Sequence, residues 1–480
     1  MDAPLIIDLA TEEDTGRLGR ALAAMLRAGD TLLLDGPIGA GKSHLARAFI
    51  RARLGPDEEV PSPTFTLVQT YTGDPDIWHA DLYRLTHSDE VVELGLEDAF
   101  ATAICLIEWP DRLGSTQPVN PLRLKLEQWG EGRRASFWPA NRPGFGESLS
   151  RHLGAEEFLT ACGWQKAERK PLLVDASTRR YARLSLQGQK AILMDAPPQQ
   201  VDSALDFAKV DRHLLALGLS APQIFADQAT KGYLLLEDLG DALYPIELAA
   251  NPSLELSLYT AATDVLLHLQ AHPPVPDLLN FAAQDWAEAA AFAMDWYRLG
   301  ILGNTNGRAD FVSILAETLR CHADGPRVMI LRDYHAENLL WLPDRQGIAR
   351  VGLLDFQLSQ MGQPGYDLVS LLQDARRDVP LAVEAAMVRH FAKARQLDPE
   401  AFAAAYAALG AQRALRILGI FAKLCLQGAK PRYVGMMPRI WAYVQRNLTH
   451  PALADLKVVC DSVLPPPDLQ KLEAQCGAFR

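Results

Sequence analysis

The first stretch able to do chemistry is Gly36-Pro37-Ile38-Gly39-Ala40-Gly41-Lys42-Ser43, set behind the apolar run Leu32-Leu33-Leu34 and ahead of Leu45-Ala46-Arg47-Ala48-Phe49-Ile50. Strand, G-x-x-x-x-G-K-[ST] and helix in that order are the requirements of a phosphate-binding loop. The glycines (Gly36, Gly39, Gly41, with Ala40 between) let successive N–H groups turn inward around phosphates, and the following helix adds its positive end. Lys42 is then expected on the β and γ phosphates and the Ser43 hydroxyl on Mg²⁺. Two carboxylates follow, Asp81 and Glu108, each closing an apolar strand-like run. An isolated acid there is ordinarily a cap, but beside a phosphate loop it supplies what the chemistry needs: one carboxylate for the Mg²⁺ shell and a polar group for the attacking water.

A second set lies far downstream in Leu331-Arg332-Asp333-Tyr334-His335-Ala336-Glu337-Asn338, followed by Val351-Gly352-Leu353-Leu354-Asp355-Phe356. Asp333 and Asn338 stand five apart, the spacing of a kinase catalytic loop in which the Asp accepts the substrate hydroxyl proton and the Asn holds Mg²⁺. Asp355, at the end of the next apolar run, is placed as the second metal carboxylate. His335, two residues after Asp333, reads as a loop-positioning residue rather than a base. Trp286, Trp296 and Trp441 have the surface to stack on a sugar, although aromatics on helices are more often core.

The elements that must position these groups differ between the two parts. Through residue 138, Thr15–Leu26 has helical periodicity, Ile77–Asp81 and Ile104–Trp109 read as strands, and the alternation predicts an α/β P-loop NTPase domain with a largely parallel sheet, binding ligands at its strand ends. Trp129–Ser150 carries two prolines and four glycines, so residues 139–153 read as a linker. Beyond it, Ala176–Leu186 and Ala191–Pro198 read as strands, Asp202–Leu217 as a helix, Tyr233–Leu236 as a buried strand entering a polar hinge, and Ser253–Arg320 as mostly helical. The expectation is a bilobal α+β protein-kinase-like domain over 154–480, with a first lobe over about 154–240 and a second over about 241–480.

Composition sets the class. With 480 residues, 49% hydrophobic and 22% charged, the chain is expected to be a soluble multidomain protein. Its apolar runs fall short of the about 18 residues a membrane helix needs, and its acidic N-terminus is unlike a signal peptide. Six scattered cysteines without C-x-x-C spacing predict neither zinc site nor disulfide framework, and a cytoplasmic location. Residues 1–150 carry 14 Lys/Arg against 23 Asp/Glu, and the net charge of −12 leaves no basic excess in either part for gripping nucleic acid.

The first part resembles the TsaE family of ATPases in tRNA threonylcarbamoyladenosine synthesis. The motifs carrying this are Gly36–Ser43, Ser62-Pro63-Thr64-Phe65-Thr66-Leu67, His79-Ala80-Asp81-Leu82-Tyr83-Arg84-Leu85, Gly95-Leu96-Glu97-Asp98 and Ile107-Glu108-Trp109-Pro110, in the family's order. The resemblance implies a weak ATPase acting with TsaD- and TsaB-like subunits and reaching tRNA only through them. It places Thr64 and Asp81 near the metal, Glu108 as the hydrolysis carboxylate, and Trp109 beside the nucleotide.

The second part is similar to the aminoglycoside phosphotransferase family, and within it to the AmgK-type anomeric kinases of N-acetylmuramate and N-acetylglucosamine in cell-wall recycling. Ser177-Thr178-Arg179-Arg180-Tyr181, Met194-Asp195-Ala196-Pro197-Pro198, Leu236-Glu237-Asp238-Leu239-Gly240, Arg332–Asn338, Asp355-Phe356-Gln357, Gly365–Leu372 and Lys430-Pro431-Arg432-Tyr433 carry the match. ATP and Mg²⁺ are the implied cofactors. Two departures stand out: Leu331 replaces the His of H-R-D, and Leu193-Met194-Asp195 occupies the strand where a kinase lysine would pair with the phosphates. Arg179, Arg180 or Arg183 is the expected substitute, with Arg180 and Glu237 assigned to the nucleotide. Rival expectations are a kinase for another small alcohol (aminoglycoside, choline or homoserine type) and a non-catalytic nucleotide-sensing domain.

Overall fold

The computed structural model describes residues 3–172, 179–198 and 203–479. The expected strand residues Ala176, Ser177 and Thr178, and Asp202 at the expected helix start, lie outside them. The chain divides into two compact units, Met1–Ala167 and Glu168–Arg480.

The first unit is a seven-stranded sheet in the order β1-β7-β6-β2-β5-β4-β3. Its four central strands run parallel: β6 (Leu122–Trp129), β2 (Thr31–Asp35), β5 (Ile104–Glu108) and β4 (Ile77–Asp81). Antiparallel strands close both sides, β1 (Leu5–Leu9) and β7 (Gly132–Trp138) at one and β3 (Val68–Tyr71) at the other. In β2, Leu32 and Leu34 pack into one apolar cluster with α1 (Glu12–Met25) and α2 (Lys42–Leu54), while Leu33 packs into another with α3 (Leu96–Thr102). Burial on both faces is why the central strands read as unbroken apolar runs. It also puts the chemistry at strand ends, the only part of the sheet not covered.

The expected linker is not one. Trp129 and Gly132 belong to the β6–β7 hairpin, and α4 (Phe145–Ala161) follows with Leu149 buried in the same cluster as α1 and α2. The glycines that suggested a flexible tether have packing and turn roles instead. A Cβ on Gly132 would stand 2.5 Å from Leu9 O, so β1 approaches only because none is there. Gly130 turns the hairpin at φ 59° and Gly144 begins α4 at φ 77°.

The second unit opens with a five-stranded antiparallel sheet, β11-β12-β10-β9-β8, from β8 (Glu168–Leu172), β9 (Arg180–Leu186), β10 (Gln189–Asp195), β11 (Ile224–Gln228) and β12 (Tyr233–Glu237). The helix α5 (Ala204–Ala216) joins β10 to β11, its N-terminus capped by Ser203 Oγ accepting from Asp206 N. The remainder is helical apart from two short hairpin-like pairs, β13 (Val328–Ile330) with β16 (Gln360–Gly362) and β14 (Leu339–Trp341) with β15 (Val351–Leu353). One apolar core runs from Met194 through Leu472. No helix among the described residues is long and apolar enough to cross a membrane.

One buried carboxylate in this core costs stability. Asp211 of α5 is fully buried, and neither oxygen finds a hydrogen-bond partner among the described residues. Burial pushes it up to about 7, Arg212 opposing and Glu237 adding. Because the folded value lies above the unfolded one, the proton stabilises the fold fully below the unfolded value, and that contribution is lost as pH rises through about 7. Asp211→Asn should therefore gain on the wild type in Tm between pH 5 and pH 8, by about 2–4 °C or about 1 kcal/mol. Melting curves across that range check it, and an equal offset at every pH would refute it.

Candidate active sites

The phosphate loop begins where β2 ends. Gly36 has φ 138°, and a Cβ on it would lie 2.3 Å from Leu126 O, so only glycine lets the loop leave β2 against β6. Gly41, at φ 101°, starts α2, and a Cβ there would crowd the Arg133 guanidinium at 3.1 Å. Gly39 turns at φ 80° in open space, and Ala40 is buried between. Lys42 Nζ donates to Gly36 O (2.7 Å) and Pro37 O (3.0 Å) and stands 4.1 Å over the Trp109 ring. Burial lowers the Lys42 ammonium from its ordinary value, while Glu108, Asp81 and Asp35 pull it back.

The carboxylates converge here. The parallel register sets Asp81 directly beside Glu108. Ser43 Oγ donates to Glu108 Oε2 at 3.1 Å, and Thr64 Oγ1 donates to Asp81 Oδ2 at 2.7 Å, whose other oxygen accepts from Tyr83 N at 3.1 Å. Trp109 sits in the left-handed region at φ 59°, a strained step for a non-glycine residue and one that recurs at functional sites. The sequence reading missed one member. His79 Nε2 lies 2.9 Å from Glu108 Oε1 with both side chains buried, so Glu108 is held by the imidazole on one oxygen and by Ser43 on the other. His79 precedes Asp81 by two residues, and strand alternation puts both on one face. That spacing was the available signal.

This donor set suits Mg²⁺: hydroxyls of Ser43 and Thr64 with the carboxylates Asp81 and Glu108 are hard oxygen ligands around a glycine cradle that a Cβ would fill. Among the described residues no group of three or more His, Cys, Asp or Glu side chains gathers as a metal cage.

In the second unit the catalytic-type loop is held from below. Asp367, wholly buried, accepts from Leu331 N (2.6 Å) and Arg332 N (2.9 Å). Burial pushes it up to about 7 against those two bonds. Arg332 has φ 70°. Asn338 Nδ2 donates to Asp333 O at 2.8 Å, tying both ends of the loop together, and Leu354 N donates to Asn338 O at 3.0 Å, bringing the Asp355 segment alongside. Asp355 itself is left-handed at φ 57° and receives Arg179 Nη2 at 2.5 Å and Gln357 Nε2 at 3.1 Å. His335 is buried beside Arg376 and Arg413, and burial first, then both charges, drive it well below its ordinary value. Arg376 Nη1, which can only donate, lies 3.2 Å from His335 Nε2, so that nitrogen accepts and the ring is tied to the loop's surroundings.

The three arginines separate cleanly. Arg179 reaches Asp355 from the first lobe of the unit; Arg183 is engaged by Asp238 (2.8 Å) and Asp241 (2.8 Å); Arg180 is exposed at the start of β9. Glu237 is committed to Arg345 at 2.6 Å and to Gln223 N at 3.2 Å. The geometry thus brings Arg179, rather than the assigned Arg180, to the Asp355 carboxylate. Trp286 is core, 3% exposed, with its ring 4.8 Å from Tyr366.

Comparison with known proteins divides the chain in the same way. Residues 9–135 match the model for Threonylcarbamoyl adenosine biosynthesis protein TsaE, and residues 168–412 that for the Phosphotransferase enzyme family. An N-acetylmuramate/N-acetylglucosamine kinase of Caulobacter vibrioides is 36% identical over 373 residues, covering 66% of this chain and 98% of that protein. One of the same name from Pseudomonas aeruginosa is 33% identical over 314 residues, covering 62% and 90%. A tRNA threonylcarbamoyladenosine biosynthesis protein TsaE of Rickettsia felis is 39% identical over 127 residues, covering 26% of this chain and 74% of its own length. The chain is an enzyme that joins two families, belonging through its first unit to the TsaE family and through its second to the phosphotransferase enzyme family.

Proposed function

We propose that the second unit transfers the γ-phosphoryl group of ATP to the anomeric hydroxyl of N-acetylmuramate or N-acetylglucosamine, and that the first hydrolyses ATP in support of tRNA threonylcarbamoylation, acting with TsaD- and TsaB-like subunits in the cytoplasm. The observation that carries the kinase reading is the closed loop in which Asn338 Nδ2 bonds Asp333 O while Asp367 clamps the loop's start. Relatives named for these two sugars at 36% and 33% identity favour them over choline or an aminoglycoside.

In this reading Asp333 draws the proton from the attacking hydroxyl, and its rigid backbone fixes the direction of attack. Asn338 and Asp355 would hold Mg²⁺, which when bound screens the charge of the transferring phosphates. Arg179 holds the Asp355 carboxylate in place and takes over part of the charge that a strand lysine supplies in protein kinases. In the first unit Lys42 and the loop amides bind the phosphates, Ser43, Thr64 and Asp81 serve the metal, and Glu108, oriented by His79, aligns the water.

The test is phosphorus NMR of the full chain with ATP and a panel of N-acetylmuramate, N-acetylglucosamine, choline and an aminoglycoside. The expected product is a sugar 1-phosphate from either amino sugar. Phosphocholine or a phosphorylated aminoglycoside in its place would overturn the sugar assignment, and no phosphorylated product at all would favour a nucleotide-sensing domain.

A further inference from the structure

Two arginines next to the catalytic loop have no carboxylate at ion-pair distance among the described residues. Arg413 and Arg416 lie three apart on the helix Pro399–Leu426, so they share a face. Arg413 is only 6% exposed and Arg416 is half-buried. Among the described residues neither guanidinium forms an ion pair, whereas Arg376, Arg377 and Arg446 of the same unit are paired with Glu337, Glu255 and Glu384. Arg413 feels the carboxylates of Asp333, Asp367 and Asp374, yet none closes to an ion pair with it, and Arg416 sets a second cation alongside.

The surroundings point to a ligand beside Asp333. Arg413 is close enough to feel Asp333 and Asp374 as well as Tyr366 and Arg416. Arg416 Nη1 donates to Tyr366 OH at 3.5 Å, and Tyr366 adjoins Asp367, the residue that clamps the loop carrying Asp333. Tyr366 in turn packs on Trp286, whose buried Nε1 has no hydrogen-bond partner. Gln412, next to Arg413, uses its amide N–H on Trp286 O at 2.9 Å and leaves its buried oxygen unpartnered. Buried donors and acceptors left without a protein partner are satisfied by water or by a bound group. Asn338 and Asp355, the groups assigned to the metal, are tied to one another through Leu354 N on Asn338 O, and Arg179 already supplies the cation there.

Resting on the sugar-kinase reading above, we propose that Arg413 and Arg416 bind the carboxylate of an anionic acceptor sugar, and so select a sugar acid over its neutral counterpart. N-acetylmuramate and N-acetylglucosamine are the right probes because they differ by one ether-linked lactyl carboxylate. Arg416 is the position to change, since its half-exposed side chain can be replaced without opening the core.

The experiment measures kcat/KM for both sugars, and KM for ATP, in the full-length wild type, Arg416→Gln and Arg416→Lys. Loss of a charge-assisted pair should lower the N-acetylmuramate to N-acetylglucosamine ratio of kcat/KM roughly tenfold to a hundredfold in Arg416→Gln, with Arg416→Lys in between. A ratio unchanged within about twofold would overturn the inference while leaving the kinase reading intact. A rise in KM for ATP without a change in the ratio would also overturn it, by assigning the arginines to nucleotide phosphate. No turnover of either sugar by the wild type would bring down both.

Discussion

Asp333→Asn is expected to slow sugar phosphorylation by about 10²–10⁴-fold, the range for loss of a positioned general base, with affinity for ATP retained. The amide is nearly isosteric, so the loop's shape should survive. The contacts that set that shape are made by other groups: Asp367 on Leu331 N and Arg332 N, and Asn338 on the Asp333 backbone oxygen. None of them uses the Asp333 carboxylate. What disappears is the one acceptor that can take the hydroxyl proton as the new bond to phosphorus forms. The neutral, buried His335 cannot replace it, because its imidazole faces Arg376 and Asn338. The check is steady-state phosphorylation beside nucleotide binding. A variant that keeps more than about a tenth of wild-type kcat would show that positioning and electrostatics carry the reaction without a base.

The second large effect belongs to the first unit. Glu108→Gln should cut ATP hydrolysis assayed without sugar by roughly a hundredfold and leave nucleotide binding in place. Lys42→Ala should abolish both. The difference follows from what each residue touches. Lys42 sits among the loop carbonyls of Gly36 and Pro37, where phosphate is expected, so its loss removes binding. Glu108 contacts Ser43 and His79 instead, and its amide form keeps the shape while losing basicity. Sugar phosphorylation should be untouched by either change, since Asp333, Asn338 and Asp355 all lie in the second unit. If Glu108→Gln hydrolysed ATP at the wild-type rate, the water-aligning role would pass to another group.

Much of both sites was readable in advance, and unevenly so. The P-loop and the Asp333–Asn338 loop are short motifs whose chemistry depends on residues within one turn of chain. Their spacing alone dictates which groups can face a phosphate. The strands Ile77–Asp81, Tyr233–Glu237 and the end of β5 were legible because burial on both faces demands an apolar run, and a carboxylate closing it marks the open sheet edge. The stretch Trp129–Ser150 misled because composition does not say whether a glycine is there for flexibility or for close approach. In Gly132 it is the absence of a Cβ that matters, against Leu9 O, a residue more than a hundred positions away in the chain.

Sequence by itself therefore determined the two families, the order of the units, and the local catalytic motifs, because each is written in neighbouring residues through backbone geometry and side-chain periodicity. Tertiary structure decided which partner each charge has. Arg179 meets Asp355 across 176 positions, His79 meets Glu108 across 29, and Asp367 reaches back 36 to hold Leu331. It also set Arg413 and Arg416 together on one helix with no ion pair among the described residues. A charge's partner depends on which surfaces pack, a property of the whole fold that spacing along the chain does not encode.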